Sequence, residues 1–305
     1  MNITKTEGLI AAPFTPLLAD GSVNLEVIGD YAQWLHAQDV VGAFICGTTG
    51  EGMSLTTEER RHIAQRWVAV APKELRVIVH VGHTCLADAC QLAAHAQAIG
   101  ADSISCLAPF FFKPQGVEGL VTWCQRVAAA APDLPFYYYH IPSMTGANID
   151  VSEFLRQAGS QISNLAGVKF TYEDLADLQR CLQFADGKYD ILFGRDELLL
   201  TSLELGVRGA VGSTYNFAAP LYQALISSFD AGETNRAAKL QQVAVQMIDT
   251  LIQAGGHPTA NFKRYMSHVA VDCGPTRLPL HDPTAQQTTA MLAALEELHQ
   301  TIREV

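Results

Sequence analysis

Residues 136–140 read Phe-Tyr-Tyr-Tyr-His and residues 165–169 read Leu-Ala-Gly-Val-Lys, two short apolar runs with helical sequence between them. That unit, strand then helix then strand, is the element from which the fold is read. Runs of the same kind recur on both sides, at 9–14, 42–46, 77–81 and 103–107 before it and at 190–193 and 209–212 after it. Eight strands alternating with helices predict a parallel sheet closed into a (β/α)8 TIM barrel. An open doubly wound sheet shares the alternation and is the alternative.

The intervening helices carry their own punctuation. A helix is expected over 25–38, ending near Asp39. Thr56 and Glu59 form a capping-box pattern that opens a helix running to Val70. Gly100 stops a helix over 86–99. After the eighth run the chain turns helical from about Pro220 to Glu304, with breaks at 255–258 and 273–283. The expected organisation is a barrel core over 1–217 and a C-terminal helical extension over 218–305, packed together as one functional unit.

The formal net charge of -11 argues against nucleic acid or an anionic membrane as the main partner. A small-molecule substrate remains, and an anionic one would need local donors. The seven cysteines are scattered and form no C-x-x-C pair, so neither a disulfide framework nor a zinc site is expected. A reducing cytoplasm is the matching compartment. Residues 1–8 are polar and carry Glu7, unlike a signal peptide, and no apolar run approaches the roughly 20 residues that span a bilayer.

In such barrels the reacting groups stand at the C-terminal ends of the strands. Lys169 ends an apolar run where packing asks for no cation. A buried amine is disfavoured as an ammonium and serves as a neutral nucleophile that forms a Schiff base with a carbonyl. The plainer reading is a strand-end lysine that snorkels to solvent. Strand alternation puts Tyr137 and Tyr139 on one face and Tyr138 on the other, so a phenol can stand beside the amine and carry protons, or simply pack in the core.

Gly47-Thr48-Thr49-Gly50-Glu51 offers backbone N–H groups and two hydroxyls to an anion, or is an ordinary tight turn. It lacks the Gly-Lys-Ser/Thr ending of a phosphate loop. Asp196 and Glu197 suit the hydroxyls of a polyol, or the acidic first turn of a helix. His80 and His83 invite a metal, but three residues apart on a strand they would face opposite sides, and no metal site is expected.

Together these segments resemble a known family. Gly47-Thr48-Thr49-Gly50-Glu51, Tyr139-His140-Ile141-Pro142, Gly167-Val168-Lys169 and Gly212-Ser213-Thr214-Tyr215-Asn216 look like the dihydrodipicolinate synthase and N-acetylneuraminate lyase superfamily of class I pyruvate aldolases, in order and over essentially the whole chain. Residues 108–114, 136–146, the Gly194-Arg195-Asp196-Glu197 segment and Arg277-Leu278-Pro279-Leu280 resemble its lyase branch. Met144 stands where the synthases usually carry an arginine for a second carboxylate. Phe110, Phe111 and Phe112 replace the segment from which the synthases donate a tyrosine to a neighbouring subunit.

The resemblance implies a reversible aldol cleavage of N-acetylneuraminate to pyruvate and N-acetylmannosamine, with no metal and no organic cofactor. Lys169 would form the imine, Tyr139 would move the proton, and Thr48 and Thr49 would hold the carboxylate. Thr171, Gly194, Asp196, Glu197 and Ser213 match positions that contact the sugar hydroxyls; Arg195 receives no role. It also implies a homotetramer arranged as a pair of dimers. Two other readings stay open: a sibling aldolase or dehydratase acting on another 2-keto acid, such as a 2-keto-3-deoxy sugar acid, and a non-catalytic sensor of sialic or keto acids. Loss of Lys169 or Tyr139 would mark the sensor, and neither is lost.

Overall fold

The computed structural model describes residues 3–302. Met1 and Asn2 of the N-terminal stretch, the expected helix end at Glu304, and the remaining C-terminal positions Arg303 and Val305 lie outside the described residues. Eight parallel strands pair in sequence order and close on themselves, β8 returning to β1. They are β1 (Gly8–Ala11), β2 (Gly42–Ile45), β3 (Arg76–His80), β4 (Ser103–Leu107), β5 (Phe136–His140), β6 (Leu165–Phe170), β7 (Asp190–Phe193) and β8 (Gly209–Gly212). Closure rules out the open doubly wound sheet.

Around the barrel run α1 (Ile28–Ala37), α2 (Thr57–Val70), α3 (Leu86–Ala98), α4 (Gly116–Ala129), the single turn α5 (Pro142–Thr145), α6 (Val151–Ala158), α7 (Leu175–Gln183), α8 (Leu199–Glu204) and α9 (Tyr215–Asp230). Three more helices follow: α10 (Thr234–Gln253), α11 (Pro258–Val269) and α12 (Ala285–Ile302). No described helix is long and apolar enough to cross a membrane.

The strands are buried on both faces, as a barrel requires. Inward residues such as Ile10, Phe44, Leu107, Tyr139, Leu192 and Val211 fill the interior. Outward residues such as Tyr138 and Val168 pack under the helices. Tyr137 and Tyr139 therefore share the inner face and Tyr138 the outer, as alternation predicts.

Differences from expectation are local and have physical causes. β1 stops at Ala11 rather than residue 14, just before Pro13, which has no N–H for a ladder. β2 stops before Cys46, whose φ of +57° turns the chain out of the sheet. α1 starts at Ile28 rather than residue 25, because the Asn24 side chain first accepts the Glu26 N–H in a local turn. The last stretch becomes helical at Tyr215, ahead of Pro220, which the helix accommodates with a kink at Ala218. It also breaks once more than expected, at Gly232, where φ is +75°.

Candidate active site

Lys169 and Tyr139 are register partners on β6 and β5, so both side chains enter the barrel near its C-terminal mouth. Lys169 is 4% exposed and does not snorkel. Its Nζ stands 4.0 Å from the centre of the Phe44 ring and 4.2 Å from that of Tyr139. Enclosure among these rings pushes the amine down to about 7, against an opposing pull from the Asp196 carboxylate. Near neutral pH a large share of this lysine is the free amine, whereas the side chain in water is almost wholly ammonium.

The Tyr139 hydroxyl lies 3.4 Å from Thr48 Oγ1. Burial pushes the phenol up to about 12, while the Thr48 and Thr171 hydroxyls favour its ionised form. The phenol is therefore held protonated at neutral pH. The Thr171 hydroxyl oxygen is buried and makes no hydrogen bond of good geometry.

Thr48 and Thr49 sit in a turn bounded by two left-handed non-glycine residues, Cys46 and Glu51. The Glu51 N–H donates to the Thr48 carbonyl at 3.0 Å, and the Gly52 N–H to the Gly47 carbonyl at 3.0 Å. Only glycine fits at 52, since a Cβ there would lie 2.0 Å from the Cys46 carbonyl oxygen.

Beyond β7, Asp196 Oδ2 accepts from the Thr214 N–H at 3.1 Å and the Thr214 hydroxyl at 2.6 Å. Burial, reinforced by Glu197, raises its carboxyl to about 6. Arg195 bridges Glu173 at 3.3 Å and Glu197 at 3.5 Å. Two glycines make room: a Cβ at Gly212 would lie 2.0 Å from Asp196 Oδ1, and one at Gly194 would lie 1.9 Å from Thr171 Oγ1.

All nine residues singled out in the sequence line one cavity of about 490 Å³: Lys169, Tyr139, Thr48, Thr49, Thr171, Gly194, Asp196, Glu197 and Ser213. Sequence reasoning missed its lid. Ile248 and Ile252 of α10 and Pro258 and Phe262 of α11 also line it, so the extension roofs the barrel mouth. Nothing local in those helices signals a contact made across so much chain. Phe44, by contrast, was available from the alternation of β2.

His140, inside the motif, faces outward, where its Nδ1 lies 3.2 Å from the Tyr138 hydroxyl. The two histidines considered for a metal do not share a strand: β3 ends at His80, and His83 lies in the loop beyond it. His80 is buried with both ring nitrogens unpartnered, and burial holds it neutral. Among the described residues no group of three or more His, Cys, Asp or Glu is placed to hold a metal ion.

Residues 5–298 match the dihydrodipicolinate synthetase family. The chain belongs to that family. Its similarity within the dihydrodipicolinate synthetase family is high toward particular members. An N-acetylneuraminate lyase of Danio rerio is 42% identical over 91% of this chain and 92% of its own. The structure of Proteus mirabilis N-acetylneuraminate lyase superimposes with a TM-score of 0.94 at 44% identity, over 97% of this chain and 99% of that one. N-acetylneuraminate lyase from Aliivibrio salmonicida, also called sialic acid aldolase, gives 0.94 at 40% identity, covering 97% and 98%.

Proposed function

We propose that this protein is a reversible N-acetylneuraminate lyase working through an imine on Lys169. The observation that carries the reading is the Lys169 amine itself: enclosed by Phe44 and Tyr139, poised near neutrality, and facing a cavity lined by hydroxyl donors and carboxylates. The high identity to several N-acetylneuraminate lyases supports the choice of substrate.

In this mechanism the free amine attacks the C2 ketone of the open-chain sugar acid and water leaves, forming an imine that acts as an electron sink. Thr48 and Thr49 hold the C1 carboxylate beside it. As the C3–C4 bond breaks, Tyr139 takes the C4 hydroxyl proton while its own proton passes to the bound C1 carboxylate, releasing N-acetylmannosamine as its aldehyde. The electron pair left on C3 is held as an enamine, and a proton returns along the same relay to C3. Hydrolysis of the resulting imine frees pyruvate and the lysine. The imine supplies the electron sink, so this mechanism calls for no metal or organic cofactor.

Thr171, Gly194, Asp196, Glu197 and Ser213 receive the hydroxylated tail. A shorter substrate would leave such acceptors unpaired, which is a strong basis for discrimination. The reading includes one functional unit made of the barrel core and the helical extension, and a homotetramer. Exposed Phe111, Phe112 and Leu278, at 75%, 86% and 75%, support burial between subunits. Seven unpaired cysteines support a cytoplasmic location.

The test is to incubate the purified protein with N-acetylneuraminate and measure N-acetylmannosamine and pyruvate, alongside 2-keto-3-deoxy sugar acids. Equimolar release from N-acetylneuraminate is expected. Turnover confined to another keto acid would transfer the mechanism to a sibling aldolase.

A further inference from the structure

The helical extension reaches back into the Thr48–Thr49 turn through a buried ion pair. Lys263 of α11 places its Nζ 2.8 Å from Glu51 Oε1, with both side chains 1% exposed. The same ammonium donates to the Pro275 carbonyl at 2.6 Å, and the Arg277 N–H donates to Glu51 Oε2 at 2.8 Å. Neither Glu51 nor Lys263 lines the Lys169 cavity. Glu51 nonetheless closes the turn, with a φ of +54° and its N–H on the Thr48 carbonyl.

A buried ion pair is a poor way to stabilise a fold, since apolar side chains of similar volume do as well or better. What it supplies is fixed geometry and charge balance. Both matter here, because a lone carboxylate next to an enclosed anion subsite repels the incoming anion. We propose that the Glu51–Lys263 pair is the positioning and charge-balancing device of the carboxylate subsite: Lys263 cancels the charge of Glu51, and the anchored pair holds the turn that presents Thr48 and Thr49 to an anionic keto acid. This rests on the reading of those threonines as the carboxylate clamp. It gives the extension a role in recognising the acid as well as in roofing the cavity.

The test compares pyruvate with methyl pyruvate, its uncharged ester. Half-saturating concentrations for borohydride-trapped adduct on Lys169 are read by mass spectrometry for wild type, Lys263→Met, Glu51→Gln and the double variant. Following the preference for acid over ester removes any loss that strikes both ligands equally.

Lys263→Met removes the cation bonded to Glu51, leaving only the Arg277 guanidinium, itself bonded to Glu59, to offset the charge. It is expected to weaken pyruvate on the order of ten-fold, with the ester changed by no more than about two-fold. Glu51→Gln leaves the cation and moves the preference the other way, toward the acid. The double variant returns it close to wild type. Equal loss of both ligands in Lys263→Met, or an unmoved preference in Glu51→Gln, would overturn the proposal and leave the pair a structural contact. Should Lys263→Met fail to fold, the direction found for Glu51→Gln decides alone. A wild type that forms no adduct with either ligand would overturn the lyase reading, and this proposal with it.

Discussion

In the proposed mechanism a single amine decides the chemistry, and its environment sets when that amine can react. With Lys169 pushed down to about 7, imine formation at low pyruvate is expected to fall about ten-fold per pH unit below that point and to level off above it. Asp196 is the group that opposes the fall in the lysine's pKa, so Asp196→Asn is expected to move the midpoint to lower pH. Rapid-quench borohydride trapping across pH measures both, and a midpoint that stays put in the variant would remove Asp196 from the electrostatics of the lysine. Tyr139→Phe is expected to form the imine while slowing carbon–carbon cleavage by roughly 10² or more, the scale of general acid–base help. Single-turnover kinetics separate the two steps, and equal cleavage rates would take Tyr139 out of the mechanism. Lys169 and Tyr139 were legible in the sequence because a cation ending an apolar run and a phenol on the inward phase of a strand are local signals. The unpartnered nitrogens of His80 and the grip of Thr214 on Asp196 were not, since both depend on where distant strands meet.

At the scale of elements, strand ends and caps place the site. Gly212 ends β8 where Asp196 leaves no room for a Cβ. Gly212→Ala is therefore expected to displace the carboxylate from Thr214 and cut N-acetylneuraminate turnover on the order of a hundred-fold. Pyruvate trapping on Lys169 should change much less, and equal loss of both would contradict the assignment of that wall to the sugar tail. The capping box of Thr56 and Glu59 is present in full. Thr56→Ala is expected to lose about 1 kcal/mol of stability, read as a fall in Tm of about 2 °C. Four strands, β4, β5, β7 and β8, run over the residues expected from composition and alternation. Two of the ends that differed turned on backbone conformation, a proline after β1 and a left-handed cysteine after β2, neither of which hydrophobic periodicity reports, while β3 and β6 differ by a single residue.

For the whole molecule, alternation of strand and helix pointed to a parallel sheet with the barrel ahead of an open doubly wound sheet, and closure decided between them. The extension's use of its apolar residues was not legible. Ile248, Ile252 and Phe262 read as ordinary helix faces until the chain folds back over the mouth it covers. Light scattering is expected to give four times the chain mass of 33.0 kDa; a monodisperse monomer would contradict the subunit contacts proposed for Phe111, Phe112 and Leu278. The proposed reaction nonetheless depends on one covalent bond. The decisive measurement is borohydride reduction of the protein in the presence of pyruvate, followed by peptide mapping. One pyruvate-derived adduct per chain is expected, on Lys169, absent from Lys169→Ala. No adduct, or one on a different lysine, would contradict the imine mechanism.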